Sequence, residues 1–158
     1  MTKRTYNYAG TYDPTRMARA YSTNVPISMK YSLEISRTIK GRMIGNALQL
    51  LDRVAEQQTP LPLHIYHKKV PHRKGNAMEG TKGGRYPVRA SMAWLKLLGS
   101  VRHNADVKGL DRDKLKIIHA TACIGFRRQS SQSQGRISGK NRKEKSTHIE
   151  IVVAEVKA

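Results

Sequence analysis

The chain has 158 residues, 30 of them Lys or Arg against 11 Asp or Glu, for a formal charge of +19; a compact chain so charged repels itself and needs a polyanionic partner, either nucleic acid or an anionic surface. With 38% hydrophobic residues, one Phe and one Trp, it can fill one thin core and must leave part of itself as arm, tail or long loop. The lone Cys123 excludes an internal disulfide framework and a multi-cysteine zinc site, and no run approaches the roughly 18 apolar residues of a membrane span, so the sequence reads as a soluble intracellular protein without a membrane partner.

Residues 1–15 are polar, carry Tyr6, Tyr8 and Tyr12 and the break Asp13-Pro14, and show no periodicity; they read as an extension that orders only against a partner. An irregular strand is expected from Met17 to Ile27. Ser28 then offers an N-cap for a helix to about Lys40, with Met29, Leu33 and Ile39 available for burial and Gly41 as its stop. Ile44, Ala47, Leu48, Leu51, Val54 and Ala55 recur at helical spacing and predict an amphipathic helix over 42–57, ended by Thr59-Pro60-Leu61-Pro62.

Residues 64–89 read as a long loop containing Gly75, Gly80, Gly83 and Gly84. It carries Lys68, Lys69, Arg73, Lys74, Lys82, Arg85 and Arg89 against one acid, Glu79, and long loops in compact domains tend to be functional. Pro87 suits the first turn of a third helix running to about Val107. Its stripe Ala90, Trp94, Leu97, Leu98, Val101 and Ala105 faces a core, with Arg89, Lys96 and His103 outside and Lys108-Gly109 closing it.

The last third changes period. Leu115, Ile117, His119, Thr121 and Cys123 alternate with Lys116, Ile118, Ala120, Ala122 and Ile124, and 147–156 places Ile149, Ile151 and Val153 on one face, predicting two antiparallel strands with Cys123 buried. Between them lie seven basic residues, the acid Glu144 and a Ser/Gln tract. If pairing continues to a turn near 135, each arm is about 20 residues, roughly 65 Å at ~3.3 Å per residue. A domain of this size has a radius of gyration near ~15 Å, so the hairpin projects and needs an external surface to lie against.

Fourteen of the thirty basic residues thus fall on two irregular segments. Arg holds phosphate bidentately and stacks on bases, Lys adds point charge, and Tyr66, His67, His72 and Tyr86 interleave with them in the 64–89 loop, a pattern suited to unpaired bases beside phosphates. No recognition helix, zinc finger or basic zipper appears, which favours folded RNA over duplex DNA. A metal nuclease built on His64, His67, His72 and Glu79 is disfavoured, because the spacing is not that of a helical His-Glu-x-x-His motif and the surrounding cations repel a divalent ion. Gly80-Thr81-Lys82-Gly83-Gly84 lacks the Gly-Lys-Ser/Thr ending of a phosphate loop. His119 and His148 sit on strands as cross-strand or RNA-facing residues, and no paired carboxylates or nucleophile elbow appear. The reading is non-enzymatic, with no cofactor and no metal.

Several runs occur in order: Arg37-Thr38-Ile39-Lys40-Gly41, His67-Lys68-Lys69, His72-Arg73-Lys74-Gly75, Gly84-Arg85-Tyr86-Pro87-Val88, Lys108-Gly109-Leu110-Asp111, 115–120, Gly135-Arg136 and His148-Ile149-Glu150-Ile151. Over about 16–156 this set resembles the universal large-subunit ribosomal protein family L-twenty-two in its archaeal and eukaryotic form. The resemblance implies an α+β fold of two layers, three helices on a three-stranded antiparallel sheet, in one domain over 16–158 with a long protruding hairpin over about 115–156 and a tip over about 127–145. It also implies a structural role in the large ribosomal subunit: binding ribosomal RNA, supporting assembly, meeting neighbouring ribosomal proteins, and lining the nascent-peptide exit tunnel with the hairpin, in the cytoplasm. The RNA contacts it implies are Lys68, Lys69, Arg73, Lys74, Arg85 and Tyr86, with Arg127, Arg128, Arg136, Lys140, Arg142 and Lys143 on the hairpin; His72, which interleaves with the loop cations, is added to them. The sequence departs from the family at the tip, where Gln129-Ser130-Ser131-Gln132-Ser133-Gln134 replaces an Arg-dense stretch containing Pro-Arg-Ala. The competing reading from charge alone is a free-standing nucleic-acid architectural protein.

Overall fold

A computed structural model describes residues 6–73, 81–131, 133, 135–136 and 139–156. Its centre is an open antiparallel sheet of β1 (Met17–Val25), β4 (Leu115–Ile124) and β7 (Thr147–Glu155) in the order β1-β7-β4. The central strand β7 is covered on both faces, which suits its near-continuous apolar run Ile149, Ile151, Val152 and Val153. Three helices, α1 (Met29–Ile39), α2 (Ile44–Ala55) and α3 (Val88–Val107), make the second layer. Helix α1 packs on β4, α3 on β1 and β7, and α2 on α3. The expected two-layer α+β architecture is therefore present.

The stripe expected of the third helix transfers to the structure residue for residue, whereas in α2 Leu48 and Ala55 are half-buried and Leu50 is buried. All six stripe residues of α3 from Ala90 to Ala105 are buried, Trp94 completely, while Arg89, Lys96 and His103 are exposed. Pro87 precedes the helix as its N-cap residue instead of opening the first turn. In α1, Ser28 occupies the N-cap position without a side-chain capping bond, and Gly41, at φ +83°, turns the chain out of the helix. Its buried face differs from expectation: Ile39 is inside, but Met29 and Leu33 are only half-buried, and Ser32, Glu34, Ile35 and Ser36 complete the inward stripe.

The turn between α1 and α2 shields the free edge of β4. Gly41 donates its N–H to the Ile117 carbonyl (2.8 Å) and Ile117 donates back to Arg42 (2.9 Å), so this edge is capped by backbone within the chain. Strand β4 does not alternate uniformly. The register against β7 skips between Ile117 and His119, so Leu115 and Ile117 point into the core and then Ala120 and Ala122 do. The expected single face through His119, Thr121 and Cys123 is broken by this bulge, and Cys123, expected buried, is half-buried on the opposite side.

Residues 6–15, for which the sequence predicts order only against a partner, make contacts within the chain. Asn7 N–H donates to Glu150 Oε2 (3.0 Å), Tyr6 meets Tyr21 edge-on, and the Arg19 guanidinium lies 4.1 Å and 4.2 Å from the ring centroids of Tyr6 and Tyr12. Lys108 Nζ ties the start of β1 by donating to the Tyr12 hydroxyl and to the Pro14 and Met17 carbonyls.

The hairpin leaves the sheet through a small polar junction. Asn24, at φ +50°, accepts through Oδ1 from the Phe126 N–H and the Ser146 hydroxyl, both at 3.0 Å. Gly125 donates to the Ser146 carbonyl (3.0 Å), and a Cβ on it would collide with Ser146 Oγ, so no larger residue fits without moving the junction. Pairing resumes where Glu144 donates to Arg128 (3.0 Å), and continues between β5 (Gln129–Ser131) and β6 (Asn141–Lys143). Every described residue from Phe126 to Lys145 is exposed, as expected of an arm that touches no core. Gln132 and Gln134 of the Ser/Gln tract lie outside the described residues.

Candidate RNA-binding surface

Described residues on both sides of the expected loop over 64–89 are tied into backbone pairing that its composition does not suggest. Leu61 and Leu63 are buried among the core residues, and β2 (Leu61–Pro62) pairs with β3 (Gly84–Arg85). A bridge between His72 and Gly83, and the Arg73 N–H donating to the Lys82 carbonyl (3.0 Å), extend this ladder outward. The Pro-rich stretch that breaks α2 thus also starts the scaffold that holds both ends of the loop.

Glu34 fixes the first turn of that loop. Its side chain is fully buried, and its carboxylate accepts three backbone N–H groups: His64 at 3.0 Å, Ile65 at 2.8 Å and Tyr66 at 2.9 Å. A buried carboxylate is tolerated where its lone pairs are filled by such donors. Sequence reasoning missed Glu34 because an acid in a helix normally faces solvent. The weak clue is that it sits between Leu33 and Ile35, on the same helix as an adjacent Lys30-Tyr31 pair.

Those two residues were also missed, and they face the loop. Lys30, Tyr31, Ile65, Tyr66, Lys68, Val70 and Arg85 line a groove of about 460 Å³. The Lys30 ammonium lies 5.3 Å from the Tyr66 ring centroid, and Arg85 donates from Nη1 to the Tyr31 hydroxyl (3.0 Å). Of the loop residues expected to contact RNA, Lys68 and Arg85 meet here. Lys69 and His72 are exposed elsewhere on the loop, Arg73 packs its guanidinium 5.2 Å from the Tyr86 ring centroid and donates to the Gly84 carbonyl (3.2 Å), and Lys74 lies outside the described residues. The hairpin residues Arg127, Arg128, Arg136, Lys140, Arg142 and Lys143 are all exposed. They form a second basic surface, separate from the first.

His64, His67 and His72 line one neighbouring groove, but His67 Nδ1 is engaged with the His64 carbonyl (2.6 Å), and no group of three His, Cys, Asp or Glu among the described residues is placed to hold a metal ion. Glu79 lies outside the described residues. His119 and His148 do not form a pair of their own. His119 Nε2 stands 3.5 Å from Glu150 Oε1, without a hydrogen bond, and burial pushes the His119 pKa below its usual value against the opposing pull of Glu150; His148 Nδ1 accepts from the Asn24 N–H (3.2 Å). No helix among the described residues is long and apolar enough to cross a membrane.

Charge is segregated. The ion pairs among the described residues, Arg112 with Asp106 and Lys114 with Asp111, lie on the α3–β4 corner, and the contact of His119 with Glu150 is on the sheet. None of the described cations in the loop or the hairpin pairs with a described acid. Such unopposed guanidinium and ammonium groups beside tyrosine rings can hold phosphates and stack on bases.

Comparison with known proteins shows the family. The family model described as ribosomal protein L22p/L17e matches residues 20–154. Among similar curated proteins, large ribosomal subunit protein uL22 of Methanococcus vannielii is 38% identical over 145 residues, covering 90% of this chain and 92% of that protein. Its namesake in Ignicoccus hospitalis is 39% identical over 147 residues (91% of each), and that of Hyperthermus butylicus 38% identical over 154 residues (96% and 97%). The chain belongs to the L22p/L17e family of ribosomal proteins.

Proposed function

We propose that the chain is a non-catalytic structural constituent of the large ribosomal subunit in the cytoplasm, that it binds ribosomal RNA and supports subunit assembly among neighbouring ribosomal proteins, and that its hairpin lies along the nascent-peptide exit tunnel. One observation carries this reading: the described Lys and Arg of the two basic segments, all exposed except the half-buried Arg73, pair with no described acid, while the helices and sheet close their own core. On the body, Lys68, Lys69, His72, Arg73, Lys74, Arg85 and Tyr86 take the RNA. On the arm, Arg127, Arg128, Arg136, Lys140, Arg142 and Lys143 do so. A pair of thin, polar, exposed strands gains little from its own side chains, and an RNA wall supplies the missing surface. The nascent peptide, if it meets this chain, meets the tip.

The test is salt-dependent binding to large-subunit ribosomal RNA. Neutralising about 6–10 phosphates predicts a ~10³–10⁵-fold fall in affinity between 50 and 200 mM salt, together with cosedimentation with the large subunit at moderate salt. Equal affinity for folded ribosomal RNA and random duplex DNA at matched salt would replace this reading with the free-standing architectural one, which the same charge could serve.

A further inference from the structure

We propose that the groove between α1 and the 64–70 turn is a receptor for a single unpaired RNA nucleotide, its base against Tyr31 and Tyr66 and its phosphate on Lys30, Lys68 and Arg85. This deepens the RNA-binding reading and rests on it. The groove has three properties that such a ligand needs together. Its volume, about 460 Å³, falls in the ~300–1,000 Å³ range of pockets that enclose a small molecule. Its walls offer two half-buried tyrosine rings and an apolar side made of Val70 and Ile65, the latter 47% exposed among the described residues. Its rim carries three cations, and no carboxylate among the described residues lines it.

Stacking on aromatic faces and phosphate contact at adjacent cations is how unstacked bases are held, whereas a base inside an A-form helix offers no free face. Two of the three cations already have partners in the groove. Arg85 is braced on the Tyr31 hydroxyl while its other donors remain for a phosphate, and Lys30 rests 5.3 Å from the Tyr66 ring centroid on a flexible stem that can swing to a phosphate as a base takes its place. Glu34 holds the Ile65 and Tyr66 backbone through their N–H groups, so the apolar side and one ring are set before any ligand arrives. An acidic peptide could also meet three cations, but it has no use for two rings beside an uncovered Ile. The nucleotide uses all of them.

The experiment compares two RNA hairpins of one sequence, one carrying a single bulged 2-aminopurine and the other fully paired, each titrated against the full chain. The expected results are quenching of the bulged base, tighter binding of the bulged hairpin, and loss of that preference in Tyr66→Ala by roughly 10-fold or more. Tyr66→Phe should retain it. Lys30→Ala, an exposed change that leaves the fold alone, should lower the salt slope for the bulged RNA by about 1 and leave that for the paired RNA unchanged. Equal binding of both hairpins, with no quenching, would overturn the groove while leaving RNA binding intact. Binding of neither would overturn both readings. Ultraviolet crosslinking of assembled large subunits adds the competing occupant: a nucleotide adduct on Tyr31 or Tyr66 supports the proposal, and a peptide adduct there refutes it.

Discussion

Replacing Glu34 with Ala removes one fully buried carboxylate and strands three backbone donors at once, the N–H groups of His64, Ile65 and Tyr66. A hydrogen bond to a charged acceptor contributes about 1.5–3 kcal/mol net. Because His64 and Ile65 are exposed and Tyr66 half-buried, their donors can partly rehydrate once the turn loosens, which brings the expected loss to about 3 kcal/mol in total. Glu34→Gln is the sharper variant. Its amide oxygen can keep the two donors that now share Oε1, but its NH₂ must face the His64 N–H, and a loss of about 1–2 kcal/mol follows. Urea unfolding reads both: with an m-value near ~3 kcal/mol/M the alanine midpoint falls by about 1 M and the glutamine midpoint by roughly half that. Amide exchange at Ile65 and Tyr66 should accelerate in the same order. Midpoints within about 0.2 M of the parent for both variants would refute the anchoring role of this carboxylate.

Three further outcomes follow from the structure. Asn24→Ala removes an acceptor shared by the Phe126 N–H and the Ser146 hydroxyl, and Gly125→Ala forces a Cβ against Ser146; each should cost about 1–3 kcal/mol by thermal melting, and unchanged melting would remove the junction from the account. Deleting residues 129–138 should leave the melting temperature of the body within a few degrees, since the described residues of that stretch are exposed; a collapse in stability would contradict the projecting arm. Burial holds the folded pKa of His119 below its ordinary 6.5, so the unfolded chain binds the proton first: the contribution of neutral His119 is complete above about pH 6.5 and declines as pH falls toward the lower folded value. His119→Gln should flatten that part of a stability–pH curve, and an unaltered slope would assign the dependence to another group.

How much of this was legible in the sequence depended on whether a residue answers to local periodicity or to a distant partner. Helix α3 is a single amphipathic stripe, and its burial follows from spacing alone. The β4 bulge could not be read that way. Both residues flanking Ile118 continue a plausible alternation, and only the register against β7, more than 30 residues away, decides that Ala120 and not His119 turns inward. Tyr6, Tyr8 and Tyr12 look like a solvated tail until Arg19, His119 and Lys108 supply ring and hydroxyl partners from three elements. The basic segments were visible as composition, but the groove was not. It is made by α1 and the loop together, and neither Lys30-Tyr31 nor Tyr66 means much without the buried Glu34 that sets the turn beside them.

The placement of the acids explains why an excess of cations becomes two usable surfaces. With only 11 Asp and Glu in the chain, each can neutralise a cation or satisfy a backbone donor. Glu34 and Glu150 are buried; both oxygens of Glu34 accept from the N–H groups of the 64–66 turn, and Oε2 of Glu150 accepts from the Asn7 N–H. Asp106 and Asp111 hold Arg112 and Lys114 at the corner before β4, where hydrogen bonds from Arg112 and from the Asp113 N–H, respectively, lower their pKa values. Only Glu79 and Glu144 fall within the two basic segments. A random scatter of the same acids would have paired with loop and hairpin cations through weak, solvent-screened bridges, and each such bridge would have to break before a phosphate could enter. Keeping most acids off the two segments leaves their described cations without a described acidic partner, so releasing counterions is the main step that phosphate contact requires.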